Sequence, residues 1–354
     1  MQPDSTPEHS HSRETPQRGL PLVPERFLVS KSVLRLDRFM THAIMVGGIG
    51  VIAAVFGIFV FIGGVIWPLF TDATLTPLRA VPLDAKERAL VGLDEHTELA
   101  YSYNGGAGIS FTSVQDGTHT ETPLELEAAA QVTAWRRDRH ADRILVGTAD
   151  GRAGHVDLVF NQALGESGGR KTVTGSVKSG PWLALAGTEN PAPVADLDYS
   201  GEGERKLLGA LLQHPQGTRL VVAGQRQKKG LLGGGKMEST PPEDLTHLLE
   251  GAVPVRLLLP ATADSAVVLT RDHELVYLFQ TTSGWEVRQR LRPCADTGAA
   301  VTTVDFLYGD VSLVVGDDTG TVRILSLNIP PGGDRRLFVE SNRLQAFHEP
   351  VRLF

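Results

Sequence analysis

The sequence predicts a mainly β chain, a series of short-stranded sheets preceded by one membrane-crossing helix. Three observations predict this. One uncharged apolar run lies near the N-terminus. A strand pattern recurs in the polar remainder at spacings in the mid-forties. The 38 glycines and 21 prolines among 354 residues favour many short strands joined by turns over long helices.

Phe39 to Thr71 contains no Asp, Glu, Lys or Arg, and 14 of the residues from Ile44 to Ile66 are Ile, Val or Phe. A helix needs about 20 apolar residues to cross roughly 30 Å of hydrocarbon, and this run supplies them. Each such side chain favours insertion by roughly 0.3–0.6 kcal/mol near the helix centre. The chain therefore divides into a basic-flanked tail expected to be disordered (1–38), a transmembrane helix (39–71) and a soluble domain (72–354). A cleavable signal has an apolar core of about 7–15 residues and a small-residue cleavage site. This core is longer, and Thr71-Asp72-Ala73 matches such a site poorly, so the segment reads as a retained anchor.

The tail from Met1 to Glu25 is polar and proline-rich, without apolar periodicity. His9 and His11 there read as solvated. Arg26, Lys31, Arg35 and Arg38 precede the span, and no comparable basic run follows it. Lys and Arg beside a span favour the cytoplasmic side, which sets the tail inside and the domain outside. In a Gram-negative cell that means an inner-membrane protein with a periplasmic domain. Gly50 and Ala54, and likewise Ala53 and Gly57, lie four positions apart. They give one face of the helix small residues on which another helix can pack.

Within the soluble part, Val132–Val156 aligns without a gap on Val301–Leu325, at an offset of 169. Each copy has a Val-Thr start, a polar break, an apolar triplet (Ile144-Leu145-Val146; Leu313-Val314-Val315), a turn ending in Gly151 or Gly320, and a further strand. A third copy begins at Val255, a weaker one at Leu99 with a turn through Gly106, and another at Pro193. Such a period, built of short strands and glycine turns, marks a β-propeller. One blade cannot bury both of its apolar faces; its neighbours cover them. The ungapped match and the recurring period favour this over a β-sandwich. Pro350–Leu353 repeats Pro254–Leu257 letter for letter, so a new blade is expected to start there and the propeller to be incomplete, truncated at its C-terminal side. Residues 225–250 break the pattern and read as a solvated insertion at the rim.

Composition excludes several classes of function. The net charge of −7 does not suit a nucleic-acid surface. The single cysteine, Cys294, cannot form an intrachain disulfide. Gly230–Lys236 has phosphate-loop spacing, but Met237 stands where Ser or Thr would hold Mg²⁺, and Pro241-Pro242 oppose the helix that must follow. Asp317-Asp318 has Thr148-Ala149 as its counterpart and so reads as a turn. His155 and His273 read as lying near or in strand turns. No catalytic, cofactor or metal site is expected, and the chain reads as a non-enzyme.

The segment Leu36-Asp37-Arg38 followed by VGGIGVIAAVFGIFVFIGGVIWPLF resembles the N-terminus of the large, PstC-like permease subunits of phosphate-type ABC importers. In larger members, a first span of this kind leads into a periplasmic insertion with WD40-like repeats. The strands through Leu313–Ile324 and the segment His348-Glu349-Pro350-Val351 are similar to that insertion. The resemblance implies a membrane-anchored component of a phosphate importer. Its partners would be membrane lipid, other permease helices or subunits, and a periplasmic solute-binding protein. No solute-contacting or ATPase-coupling residue carries over to this chain. The competing expectation is a stand-alone, single-pass scaffold or sensor.

Overall fold

The computed structural model describes residues 30–70, 80–83, 85–86, 89–124, 131–163, 172–186, 191–200, 205–228 and 236–352. The chain divides into two units, Met1–Leu78 and Arg79–Phe354.

The first unit holds helix α1, Lys31–Ile66, followed by a tight helical turn, Trp67–Phe70. Thus residues 31–38, expected in the tail, are helical. The start is set by Ser30, whose side chain accepts a hydrogen bond from the Val33 amide as an N-cap. Nothing between Lys31 and Phe39 breaks a helix. At about 1.5 Å per residue, α1 is roughly 54 Å long, and its uncharged part from Phe39 roughly 42 Å. None of its residues is buried. A helix apolar on every side finds its cover in lipid or in other helices rather than in water. By length and composition it can cross a membrane. Arg26 and the tail before it lie outside the described residues.

The second unit is a β-propeller built from antiparallel sheets, with strands ordered consecutively in each. Blade 1 comprises β1 (Leu90–Leu93), β2 (Leu99–Tyr103), β3 (Gly108–Ser113) and β4 (His119–Pro123). Blade 2 comprises β5 (Val132–Arg137), β6 (Arg143–Thr148), β7 (Arg152–Ala163) and β8 (Thr172–Ser179), with a short β9 (Leu183–Ala184) on β7. Blade 3 comprises β10 (Val194–Ser200), β11 (Arg205–His214), β12 (Gly217–Lys228) and β13 (Lys236–Ser239), with β14 (Glu243–Asp244) on β12. Blade 4 comprises β15 (Pro254–Leu258), β16 (Ser265–Thr270), β17 (Leu275–Thr281) and β18 (Gly284–Leu291). Blade 5 comprises β19 (Val301–Phe306), β20 (Ser312–Asp317), β21 (Thr321–Asn328) and β22 (Leu337–Gln345).

The core is distributed among four seams, one between each consecutive pair of blades. Alternate residues of a strand enter different seams. In β6, Ile144 and Val146 pack towards blade 1 and Leu145 towards blade 3. In β11, Leu208, Ala210 and Leu212 face blade 2 while Leu207 and Leu211 face blade 4. Burial on both faces explains why these strands read as unbroken apolar runs. Among the described residues no such seam joins blade 5 to blade 1.

Several sequence expectations are corrected. Blades 2 to 5 start at Val132, Val194, Pro254 and Val301, and these starts are unevenly spaced. Only the last interval keeps the mid-forties period; the long strands β7, β11 and β12 and the added strands β9 and β14 go with the other two. Part of the supposed insertion, Lys236–Asp244, forms β13 and β14 of blade 3, while 229–235 lies outside the described residues. His155 sits within β7 and is buried, whereas His273 does lie in a turn. In blade 1 the positive-φ turn glycine is Gly105, not Gly106, while Gly151 and Gly320 have φ of +80° and +86° as their turns require. Asp317 serves its turn, accepting from the amides of Thr319 and Thr321, and Thr148 fills the same place in blade 2 by bonding Arg152.

Candidate functional site

The innermost strands of blades 2 to 5 share one irregularity. Each carries a bulge at its second residue: Thr133, Ala195, Val255 and Thr302. A bulge bends a strand and increases its twist, which re-aims the side chains that follow. Those that follow include Arg136, Asp196, Asp198, Arg256 and Asp305, and they form one charged cluster.

An innermost strand has no ladder partner on its axial side, so every second peptide group there needs another partner. On blade 4 these peptides belong to Leu257 and Leu259. The Leu257 amide donates to Asp196 at 2.8 Å, and its carbonyl accepts from Arg136 Nη1 at 2.8 Å. The Leu259 amide donates to Asp198 at 2.8 Å, and its carbonyl accepts from Arg139 Nη2 at 2.7 Å. Each peptide is thus held on both sides by an Arg–Asp couple. Arg136 also pairs with Asp196 and Asp198 at 3.3 and 3.5 Å, and Arg139 with Asp198 and Asp305 at 3.1 and 3.3 Å. Two blade 2 arginines therefore tie together blades 3, 4 and 5. His140 adds a contact to Asp310 at 2.8 Å, and Asp310 also accepts from the Ala261 amide.

Burial alone would lower the Arg139 pKa, but Asp198, Asp305 and Asp310 outweigh it and hold the guanidinium above its ordinary value. Arg256 shows the opposite balance: burial and the neighbouring Arg136 charge lower it, despite Asp196. Beside the cluster opens a cleft of about 620 Å³. Trp135, Arg137, Arg256, Phe306 and Tyr308 are among its lining residues, and Tyr308 is fully exposed. Mixed charges around aromatic surface suit recognition of a polar partner. Among the described residues no group of three or more His, Cys, Asp or Glu is placed to hold a metal ion.

Of the residues singled out in the sequence, Gly50, Ala53, Ala54 and Gly57 fall within an arc of about 100° on α1 at 100° per residue. Open space surrounds the Cβ positions of Gly50 and Gly57. Lys31, Arg35 and Arg38 occupy the first two turns, at helical spacings of four and three. The axial Arg–Asp couples went unpredicted. In the repeat, Arg136 aligns with Asp305 and Arg139 with Tyr308, so the signal lay where the copies differ.

No family model matches the chain, and no curated protein matches it. Among solved structures, the β-propeller domain of Myceliophteria thermophila Cps50 (Swd1) is similar at 12% identity and a TM-score of 0.41, covering 72% of this chain and 71% of that one. A proposed 6-phosphogluconolactonase from Bacteroides uniformis is similar at 12% identity and a TM-score of 0.38, covering 75% and 72%. The assignment of the fold rests on the blades themselves.

Proposed function

We propose that this chain is the anchored, extracytoplasmic propeller part of a phosphate-type ABC importer permease, in the bacterial inner membrane. The observation that carries the reading is the order of the parts. An uncharged helix with basic residues at its start leads into a propeller, as the resemblance of the span implies. The placement of Lys31, Arg35 and Arg38 supports it. A cation in the first turn, as Lys31 is, opposes the helix dipole by about 0.3–1 kcal/mol, and Arg35 and Arg38 lie beyond that turn, so helix stability accounts for none of the three. Retention on the cytoplasmic side does.

In this reading the small-residue face of α1 meets another permease helix, and the axial cleft meets a periplasmic solute-binding protein. The role is binding rather than catalysis. The axial arginines and aspartates are engaged with backbone groups of neighbouring blades, which is a structural use of their charge.

The test is an in-frame deletion of codons 80–352 at the natural locus, with uptake of radiolabelled phosphate and co-purification of an ABC ATPase as readouts. Loss of uptake, with the ATPase co-purifying with the undeleted protein, is the expected result. Unchanged uptake, with no ATPase recovered from either strain, overturns the reading.

A further inference from the structure

Blade 5 packs one face on blade 4, through Leu313, Val315 and Leu325. The alternate residues of the same strands, Val314, Val322 and Ile324, point the other way and are half-buried, and Leu344, paired with Val322, is exposed. In the ungapped alignment of the two copies, Val314, Val322 and Ile324 correspond to Leu145, Ala153 and His155 of blade 2. Blade 3 covers those three, and all are buried.

The correspondence extends to the inner edge. In blade 2, the Thr133 hydroxyl donates to the Val194 carbonyl at 2.8 Å, and a Cβ on Gly147 would lie 2.5 Å from Val194 Cγ1. In blade 5, the Thr302 hydroxyl donates to the Val351 carbonyl at 2.6 Å, and a Cβ on Gly316 would lie 2.5 Å from Val351 Cβ. The Val351 amide also donates to the Asp317 carbonyl at 3.1 Å, and Val351 is buried. Val351 therefore sits on blade 5 as Val194, the first residue of blade 3, sits on blade 2. The letter-for-letter match of Pro350 with Pro254 is one residue out of this register, because the buried slot falls to Val351.

We propose that the outward face of blade 5 is an inter-blade interface. Its occupant is a further four-stranded antiparallel blade of the same polypeptide, with its innermost strand beginning at Val351. Continuity selects this occupant: the seat of the inner strand already holds Val351, so a second copy or a separate protein would have to displace it. The inference rests on the blade geometry and is independent of the transport reading.

The test is maleimide labelling of the protein expressed from its natural gene, in a Cys294→Ser background, at Val314→Cys, Ile324→Cys and Asp272→Cys. The chain Met1–Phe354 expressed alone serves as reference, and a melting curve confirms that each variant folds. In the natural protein, Val314→Cys and Ile324→Cys should react about 100-fold more slowly than in the reference chain, as sites reached only by local opening. Asp272→Cys, exposed in a turn of blade 4 away from this face, should react equally fast in both. The protection should persist in the purified polypeptide on dilution. Equal rates in the two proteins overturn the proposal. So does protection lost on purification, which assigns the face to another protein, or lost on dilution, which assigns it to a second copy.

Discussion

Blades 2 and 5 follow one ungapped pattern and differ in two places. The first is their outward face, buried under blade 3 in one and half-buried in the other. The second is the ring axis, where blade 2 carries Arg136 and Arg139 while blade 5 carries Asp305 and Tyr308. The shared pattern holds neighbouring blades together, and the departures from it supply opposite charges that meet across the axis. A repeat protein can thus keep its seams constant while its inner residues diverge.

The axial difference gives the largest expected effect. Arg136→Leu takes from Asp196 its nearer cation, leaves Asp198 with Arg139 alone, and leaves the Leu257 carbonyl without its donor. Breaking a buried pair on one side costs about 3–5 kcal/mol. Asp305→Asn, on a side chain 29% exposed, should cost under about 1 kcal/mol. Urea titration followed by tryptophan fluorescence measures both.

The seam comes next. Leu145→Ala should destabilise the chain by about 2–5 kcal/mol, and its counterpart Val314→Ala by less than about 1.5 kcal/mol, because less of that side chain is covered. Equal losses would break the distinction between the covered and the open face.

His155 sharpens the comparison through pH. Burial, with Arg143 alongside, lowers its pKa to about 4, against the opposing pull of Asp157. The unfolded chain binds this proton more readily, so the stability present above about pH 6.5 is lost as pH falls towards 4. The loss is on the order of 2–3 kcal/mol. His155→Ile, which installs the blade 5 residue, should flatten that acid slope in urea titrations between pH 7 and 4.

The smallest effect lies at the inner-edge hydrogen bond. Thr133→Val should cost about 1 kcal/mol, and Thr302→Val no more than that. Both are measurable as shifts in the urea midpoint.

Much of the fold was legible in the sequence. Two-sided burial writes apolar runs such as Leu220–Ala223 and Ala266–Leu269, and tight turns write glycines at Gly151 and Gly320. The uncharged run of α1 was equally plain. What was not legible was long-range. The Arg136–Leu257 contact joins residues 121 apart and depends on which inner edges approach one another. In the sequence His155 reads as lying near or in a turn; it follows the Gly151 turn by four residues, and its burial under blade 3 depends on a strand distant in sequence. The start of α1 at Lys31 was missed because charge, which marks the lipid boundary, does not end a helix.

The most direct test of the central claim, an apolar anchor with its propeller outside the cytoplasm, is proteolysis of intact spheroplasts, read with one antibody against the Met1–Glu25 tail and another against the propeller. The account predicts that the propeller epitope is digested while the N-terminal epitope survives until lysis. A propeller that resists protease until the cells are broken would contradict it.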